Sequence, residues 1–418
     1  MDQWEPDAAE ESISQVVRDR AIFPVFQPIR DLTTGALVAV EALARGPAGS
    51  AVESAPALFA AARAAGQLSR VDQLAFTRAI EVARESPRPL PLLFANAEPA
   101  VLNEPPSADL MNAVHAPRPF RIVMEYTERA LASEPAGSVG VARLAYAEGN
   151  AIAMDDVGAD PQSLAFIPLL EPDVIKFDLS LMQDPRSSRA VETVTAVGAY
   201  IERTGAVVVA EGIETEEDIV KAHGFGARWG QGWLLGKPGP LDELVDLPRY
   251  EGEGLRPPPV PETYLPFRSP FDIAAMQGQI RPADQRAIED LTDYLLSMAT
   301  SADPNTVVLG AYHDDGLREA CVPRLEAMRD TAAFVGFTAA PSDTVPRTHK
   351  ANRPAIDTRP VAGSDTTLVV VGPYAASAMC TRWDRGGYHR LIITHDRARV
   401  GAIARVLVQD LPSRPAGD

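Results

Sequence analysis

Residues 150–156 read Asn150-Ala151-Ile152-Ala153-Met154-Asp155-Asp156, a short apolar run that stops on two adjacent carboxylates. A near-continuous apolar run of this length is what a strand buried on both faces looks like. Seven more such runs lie at 22–26, 36–41, 91–96, 121–126, 173–177, 206–211 and 228–234. Segments between them, such as 57–65 and 191–203, carry apolar residues at helical spacing. Eight strands interleaved with helices over ~240 residues match the size and rhythm of a (β/α)8 barrel. A doubly wound open sheet is the alternative, although no G-x-G-x-x-G follows an early strand. The expected fold class is therefore α/β: a TIM-like barrel in modified form, followed by a smaller α/β domain.

The ends of the runs carry the chemistry. Glu41 ends the second and Asn96 the third, and Glu125 sits near the end of the fourth. Asp155 and Asp156 close the fifth, Lys176 falls in the sixth, Glu211 ends the seventh and Gln231 lies in the eighth. Glu41 and Gln231 are 190 residues apart over six steps, about 32 per step, a normal βα repeat. In a barrel the C-terminal strand ends share one face, and that face carries the active site. Five carboxylates, one Asn, one Lys and one Gln are thus expected in a common pocket. A single acid at a strand end is ordinarily a salt-bridge partner or helix cap. Five acids converging cannot all stay ionised in a confined site without cations. An oxygen-only ligand set favours hard ions such as Mg2+ or Mn2+, and two such ions are the usual apparatus for phosphodiester hydrolysis. From the residues alone, a metal-dependent phosphoesterase and a set of structural ion pairs both stand.

Composition narrows the partners. The 418 residues carry 39 Lys and Arg against 57 Asp and Glu, a formal net charge of −18. An acidic surface repels phosphates, which argues against a nucleic-acid polymer or an anionic membrane as partner. A phosphate ligand would need metal ions or a local basic pocket. Hydrophobic residues make up 46%, enough for a large core rather than wholesale disorder. Two cysteines, Cys321 and Cys380, cannot build a disulfide framework, so a cytoplasmic location is expected. Residues 1–20 hold six acids and two arginines, the reverse of a signal peptide. The longest uncharged apolar-leaning stretch, 368–381, is too short to span a bilayer. Seven prolines between Pro248 and Pro270 read as a linker. The expected organisation is an acidic segment 1–20, a barrel over 21–247, the linker 248–270 and a second domain over 271–413.

Several ordered motifs resemble the EAL domain family. They are Gln27-Pro28-Ile29, Glu41-Ala42-Leu43 with Arg45, Phe94-Ala95-Asn96, Glu125-Tyr126-Thr127-Glu128, Asp155-Asp156-Val157-Gly158 and Ile175-Lys176-Phe177-Asp178, then Ala210-Glu211-Gly212-Ile213-Glu214-Thr215, Gln231-Gly232 and Lys237-Pro238. The resemblance covers about residues 20–245. It implies hydrolysis of cyclic di-GMP to linear pGpG with a two-metal site of Mg2+ or Mn2+. It implies Glu41, Asn96, Glu125, Asp155 and Asp156 as metal ligands. Lys176, Glu211 and Glu214 are implied as catalytic residues, Lys176 holding the attacking water and Glu211 serving as general base or its positioning partner. Gln27, Arg45, Asp178 and Gln231 are implied on the substrate side, and Glu128 as the anchor of the mobile loop after the fifth strand. One segment departs from the family: Val157-Gly158-Ala159-Asp160-Pro161-Gln162-Ser163 replaces the usual Phe-Gly-Thr-Gly-Tyr-Ser-Ser, which couples metal binding to dimerisation. The alternative function is accordingly a catalytically weak or silent EAL domain acting as a cyclic di-GMP receptor or interaction module, and homodimer formation is left open.

Residues 271–413 read as α/β, with helices at 286–298, 316–330 and 396–411 and strands at 306–311, 332–337, 366–371 and 388–394. The segments 368–379 and 391–397 resemble the DICT domain, a presumed sensory module. That resemblance implies regulation of the barrel by an unknown small-molecule or protein signal. Tyr374, Trp383 and Tyr388 read either as an aromatic ligand pocket or as core, and Cys380 as packing. His313, His349, His389 and His395 lack the helical pairing of a metal site.

Overall fold

In the computed structural model, the described residues are 6–86, 90–98, 105–127, 135–158, 161–178, 181, 183–184, 186–244, 247–258, 269–300, 305–313, 315–329, 331–339, 365–384 and 387–411. Eight strands close a barrel in sequence order: β1 Val25–Asp31, β2 Leu37–Leu43, β3 Leu92–Asn96, β4 Arg121–Thr127, β5 Ala151–Val157, β6 Val174–Phe177, β7 Val207–Ala210 and β8 Trp229–Gly230. Helices α1 Pro6–Arg18, α2 Ala55–Ala64, α3 Leu68–Glu85, α4 Ala108–His115, α5 Pro135–Ala147, α6 Ile167–Leu170, α7 Ser188–Thr204 and α8 Glu216–Gly224 accompany them. Local chemistry sets the helix ends. Ser54 Oγ accepts from Ala57 N at the start of α2, and Thr215 and Asp218 form a capping box on α8. Gly205 closes α7 at φ 69°, a left-handed turn that glycine adopts at no steric cost. Strands β6 and β7 are buried along their whole length and are apolar throughout except for Lys176.

One feature departs from the expected βα alternation. β1 runs antiparallel to both its neighbours, β2 and β8, and joins β2 by a hairpin rather than a helix. Asp31 Oδ1 nucleates that hairpin by accepting from Thr33 N, Thr34 N and Thr34 Oγ1. The first strand is therefore 25–31 rather than 22–26, and its N-terminal end faces the site. Gln27 stands opposite Glu41 in the ladder.

The chain after the barrel is tied to the barrel floor. Leu37 N donates to Pro248 O, and Tyr250 N to Leu37 O. Arg256 inserts among the β5–β6 elements, donating from Nε to Asp173 Oδ1 at 2.8 Å and from Nη1 to Thr204 O. Asp173 is fully buried, its other oxygen accepting from Ile152 N and lying 3.8 Å from Arg121.

The second body is a six-stranded sheet of order β11-β10-β12-β13-β14-β9, formed by β9 Arg281–Ala283, β10 Val307–Tyr312, β11 Phe334–Ala339, β12 Asp365–Val371, β13 Ala376–Trp383 and β14 His389–Thr394. Its helices are α9 Pro270–Ala275, α10 Gln285–Thr300, α11 Asp315–Met328 and α12 Arg397–Gln409. β13 was absent from the sequence expectation because Pro373 and a run of small residues hide its period. Both cysteines are buried and free. Tyr374, Trp383 and Tyr388 are each more than half exposed, so they are not core. His349 lies outside the described residues, and His389 packs edge-on against Trp383. Among the described residues no helix is long and apolar enough to cross a membrane.

Breaking a buried pair leaves an uncompensated charge and costs about 3–5 kcal/mol. Arg256→Met should destabilise by about that much in urea unfolding, and Asp173→Asn on that background should recover part of the loss. An Arg256→Met protein as stable as wild type would remove the floor ion pair from the account.

Candidate active site

Lys176 is the centre of the site. It is 1% exposed and comes from β6, and its Nζ lies 2.8 Å from Glu125 Oε1, 2.8 Å from Glu211 Oε1, 3.2 Å from Asp155 Oδ1 and 3.4 Å from Glu41 Oε2. Four strands and the end of a fifth thus aim five charged groups at one point. The ladder explains the alignment. Parallel pairing sets Asn96 beside Glu125 and Thr127 beside Asp155, so the polar strand ends rise along one rim.

Around this centre the neutral groups orient the acids. Glu41 accepts from Asn96 Nδ2 at 3.2 Å and from Gln231 Nε2 at 2.6 Å. Gln231 also donates to Gln27 Oε1 at 3.0 Å, and Gln27 Nε2 donates to the Gly236 carbonyl at 3.1 Å. That carbonyl belongs to the site and was missed, because a backbone oxygen leaves no trace in a side-chain pattern. Asn96 itself is exposed at the rim.

The adjacent aspartates require a break in the strand. In a regular strand neighbouring side chains point to opposite faces. Between Met154 and Val157, β5 advances three residues while β6 advances two, from Ile175 to Phe177, so β5 carries one extra residue. Asp156 takes up the bulge in the left-handed region at φ 57°, and its N–H donates to Asp155 Oδ1. Carboxylate oxygens of Asp155, Asp156 and Glu211 then lie within 4.8 Å of one another.

Electrostatics follow from burial. Burial opposes charging of Lys176, yet the carboxylates of Glu125, Glu211, Glu41 and Asp155 hold its ammonium well above the ordinary range. Burial would raise Glu41, but Lys176 and the hydrogen bonds from Gln231 and Asn96 hold it below the usual carboxylate range. Burial, with Glu41 and Asp155 close by, pushes Glu125 well up. Glu211 is pushed up to about 8, mainly by burial. One ammonium is not enough positive charge for the acids present. The buried Glu125 faces the Lys176 ammonium through Oε1 and shares a carboxyl–carboxylate hydrogen bond with Glu41, so these acids are crowded against each other around a single cation. An all-oxygen set with uncompensated negative charge fits hard divalent cations.

The remaining expected residues are placed as follows. Arg45 lies just past β2, its guanidinium donating to Ala44 O. Asp178 follows β6, its N–H donating to Val157 O. Glu214 is exposed beside the α8 capping box, its N–H donating to Asp218 Oδ2, and the ion cluster does not include it. Glu128 lies outside the described residues.

The family model of the EAL domain matches residues 10–238, more than half of the chain. The chain belongs to the EAL domain family. Among curated EAL-region relatives, it is 28% identical over 250 residues to the probable cyclic di-GMP phosphodiesterase PdeB of Escherichia coli, covering 56% of this chain and 46% of that one. It is 31% identical over 165 residues to the cyclic di-GMP phosphodiesterase RocR of Pseudomonas aeruginosa, covering 38% of this chain and 41% of that one. A solved EAL-containing structure, the manganese and cyclic di-GMP complex of BlrP1 from Klebsiella pneumoniae, is 28% identical with a TM-score of 0.46, covering 52% of this chain and 56% of that one. The chain spans less than half the length of the first curated relatives it matches.

If Lys176 neutralises the acids, Lys176→Met should lower the melting temperature of the metal-free EAL protein, and Mn2+ should then raise it by more than in wild type. A scan with and without Mn2+ checks this. An equal Mn2+ shift in both proteins would show that the ammonium and the cation do not answer the same charge.

Proposed function

We propose that this chain hydrolyses cyclic di-GMP to linear pGpG, using Mg2+ or Mn2+ held by Glu41, Asn96, Glu125, Asp155 and Asp156. The observation that carries the reading is the gathering of Glu41, Glu125, Asp155 and Glu211 on Lys176, beside the oxygen triad of Asp155, Asp156 and Glu211. Bound divalent cations would supply a water of lowered pKa and neutralise charge on the phosphodiester. The three protons of Lys176 face carboxylates, and once cations engage those acids one proton would be released to hold and orient that water. Glu211, with its proton affinity near neutrality, is suited to take a proton from it. Gln231 braces Glu41 and Gln27 braces Gln231, and we place both on the substrate side with Arg45 and Asp178. Glu214 and Glu128 complete the proposed set, as catalytic residue and loop anchor.

A receptor needs neither a water-holding lysine nor this many acids, and the cluster is assembled despite the altered loop. We read the C-terminal sheet as a regulatory module, in keeping with its resemblance to the DICT domain. The proposed partners are cyclic di-GMP and a signal acting on that module.

Three variants and a chelator test the proposal. Excess chelator should abolish pGpG formation, with Mn2+ or Mg2+ restoring it. Ca2+ should bind without supporting turnover, because its looser coordination misplaces the water. Glu41→Ala should lose Mn2+ binding and turnover together. Glu211→Gln and Lys176→Ala should keep substrate binding and lower kcat, the former by about 10²–10⁴-fold. Turnover that persists in chelator, or a Glu211→Gln enzyme as fast as wild type, would reject the mechanism.

A further inference from the structure

The segment joining the bulged β5 to β6 is gripped by the C-terminal body. This connection runs from Asp155 and Asp156 through a 3-10 turn, Pro161–Phe166, and α6 to the strand that carries Lys176. Helix α12 lies against α6 and against α5, the helix leading into β5. Val400, Ile403, Leu407 and Leu411 share one apolar cluster with Phe166, Ile167 and Leu170. Phe166 meets Phe334 of β11 edge-on, with centroids 6.2 Å apart. The approach is close: a Cβ at Gly401 would sit 2.8 Å from the Pro168 carbonyl.

A charged contact lies inside this apolar seam. Arg405, 3% exposed, places Nη1 3.2 Å from Glu171 Oε2 and donates to Pro168 O at 3.4 Å. Glu171 caps α6 in the left-handed region and stands two residues before the buried Asp173. Its carbonyl also accepts from Tyr146 of α5 and from Arg256. Burying a guanidinium is costly unless it is paired. Glu171 supplies that pairing for Arg405, and it does so on the β5–β6 connection.

We infer that α12 is a positioning element for the active site: Arg405, seated on Glu171 and Pro168, holds the β5–β6 connection so that Asp155 and Asp156 stay in register with Lys176. A signal that loosens α12 then lowers turnover without touching a metal ligand. This rests on the hydrolysis proposed above. It makes Arg405 a positioning residue and gives the C-terminal body a physical route to the site.

The test compares full-length wild type with Arg405→Met and Arg405→Lys, all loaded with Mn2+. Two quantities are read: amide hydrogen exchange in peptides covering 151–158 and 164–177, and the kcat and KM for cyclic di-GMP. Arg405→Met should speed exchange in both peptides and lower kcat about 2- to 30-fold with KM unchanged, the range of a coupling between linked sites. Arg405→Lys, which keeps the charge, should restore most of both. Faster exchange in 164–177 alone, with 151–158 and kcat as in wild type, would overturn the inference and leave a simple docking contact. Should Arg405→Met unfold the C-terminal sheet, seen as faster exchange in β12 and β13, Glu171→Gln removes the ion pair from the barrel side, and the same two peptides decide. A wild type that does not hydrolyse cyclic di-GMP refutes the functional reading, while exchange at 151–158 still decides the coupling.

Discussion

A buried ammonium facing four carboxylates is the constraint on which the rest of the site depends. Lys176 lies within 3.4 Å of Glu41, Glu125, Asp155 and Glu211. Such a concentration of charge is tolerable only if each partner is held in place, because a displaced acid would leave a neighbour buried and unpaired. The closed barrel supplies that rigidity. Glu41, Glu125 and Asp155 hold ladder positions on β2, β4 and β5, Glu211 directly follows β7, and Gln231 and Asn96 donate to Glu41, with Gln27 accepting from Gln231 behind them. An excess of acid over base remains, and it is this charge that the proposed divalent cations would answer.

Two structural devices make the constellation possible. The antiparallel hairpin of β1 and β2 brings Gln27 in from the opposite chain direction and sets it across from Glu41. The extra residue in β5 turns Asp156 to the same rim as Asp155 and Glu211. At the opposite end of the barrel, Asp173 with Arg256 and Arg121 secures the start of β6, so Lys176 is anchored from below. The C-terminal helix grips the same connection from outside.

The barrel class and the convergence of Glu41, Asn96, Glu125, Asp155, Lys176, Glu211 and Gln231 were legible in the sequence, because strands buried on both faces write themselves as apolar runs and their ends stand out. The direction of β1 was not, since apolar alternation carries no polarity of pairing. Neither was the bulge: Asp155-Asp156 reads the same whether one side chain or both face the pocket, and only the offset against β6 decides. Glu214 sits in a motif with Glu211, yet helix capping claims its surroundings and leaves it in solvent. Arg405 was invisible because its partners are a residue 234 positions earlier, Glu171, and a carbonyl. Long-range pairing between separate bodies has no local signature.

The proposed hydrolysis requires this acidic cluster to hold divalent cations beside Lys176. Anomalous scattering from crystals grown with Mn2+ tests it most directly. Strong peaks are expected, bounded by Glu41, Glu125, Asp155, Asp156 and Glu211, with the Lys176 ammonium retained next to them. A map without Mn2+ peaks at these carboxylates, from crystals in millimolar Mn2+ at neutral pH, would contradict it.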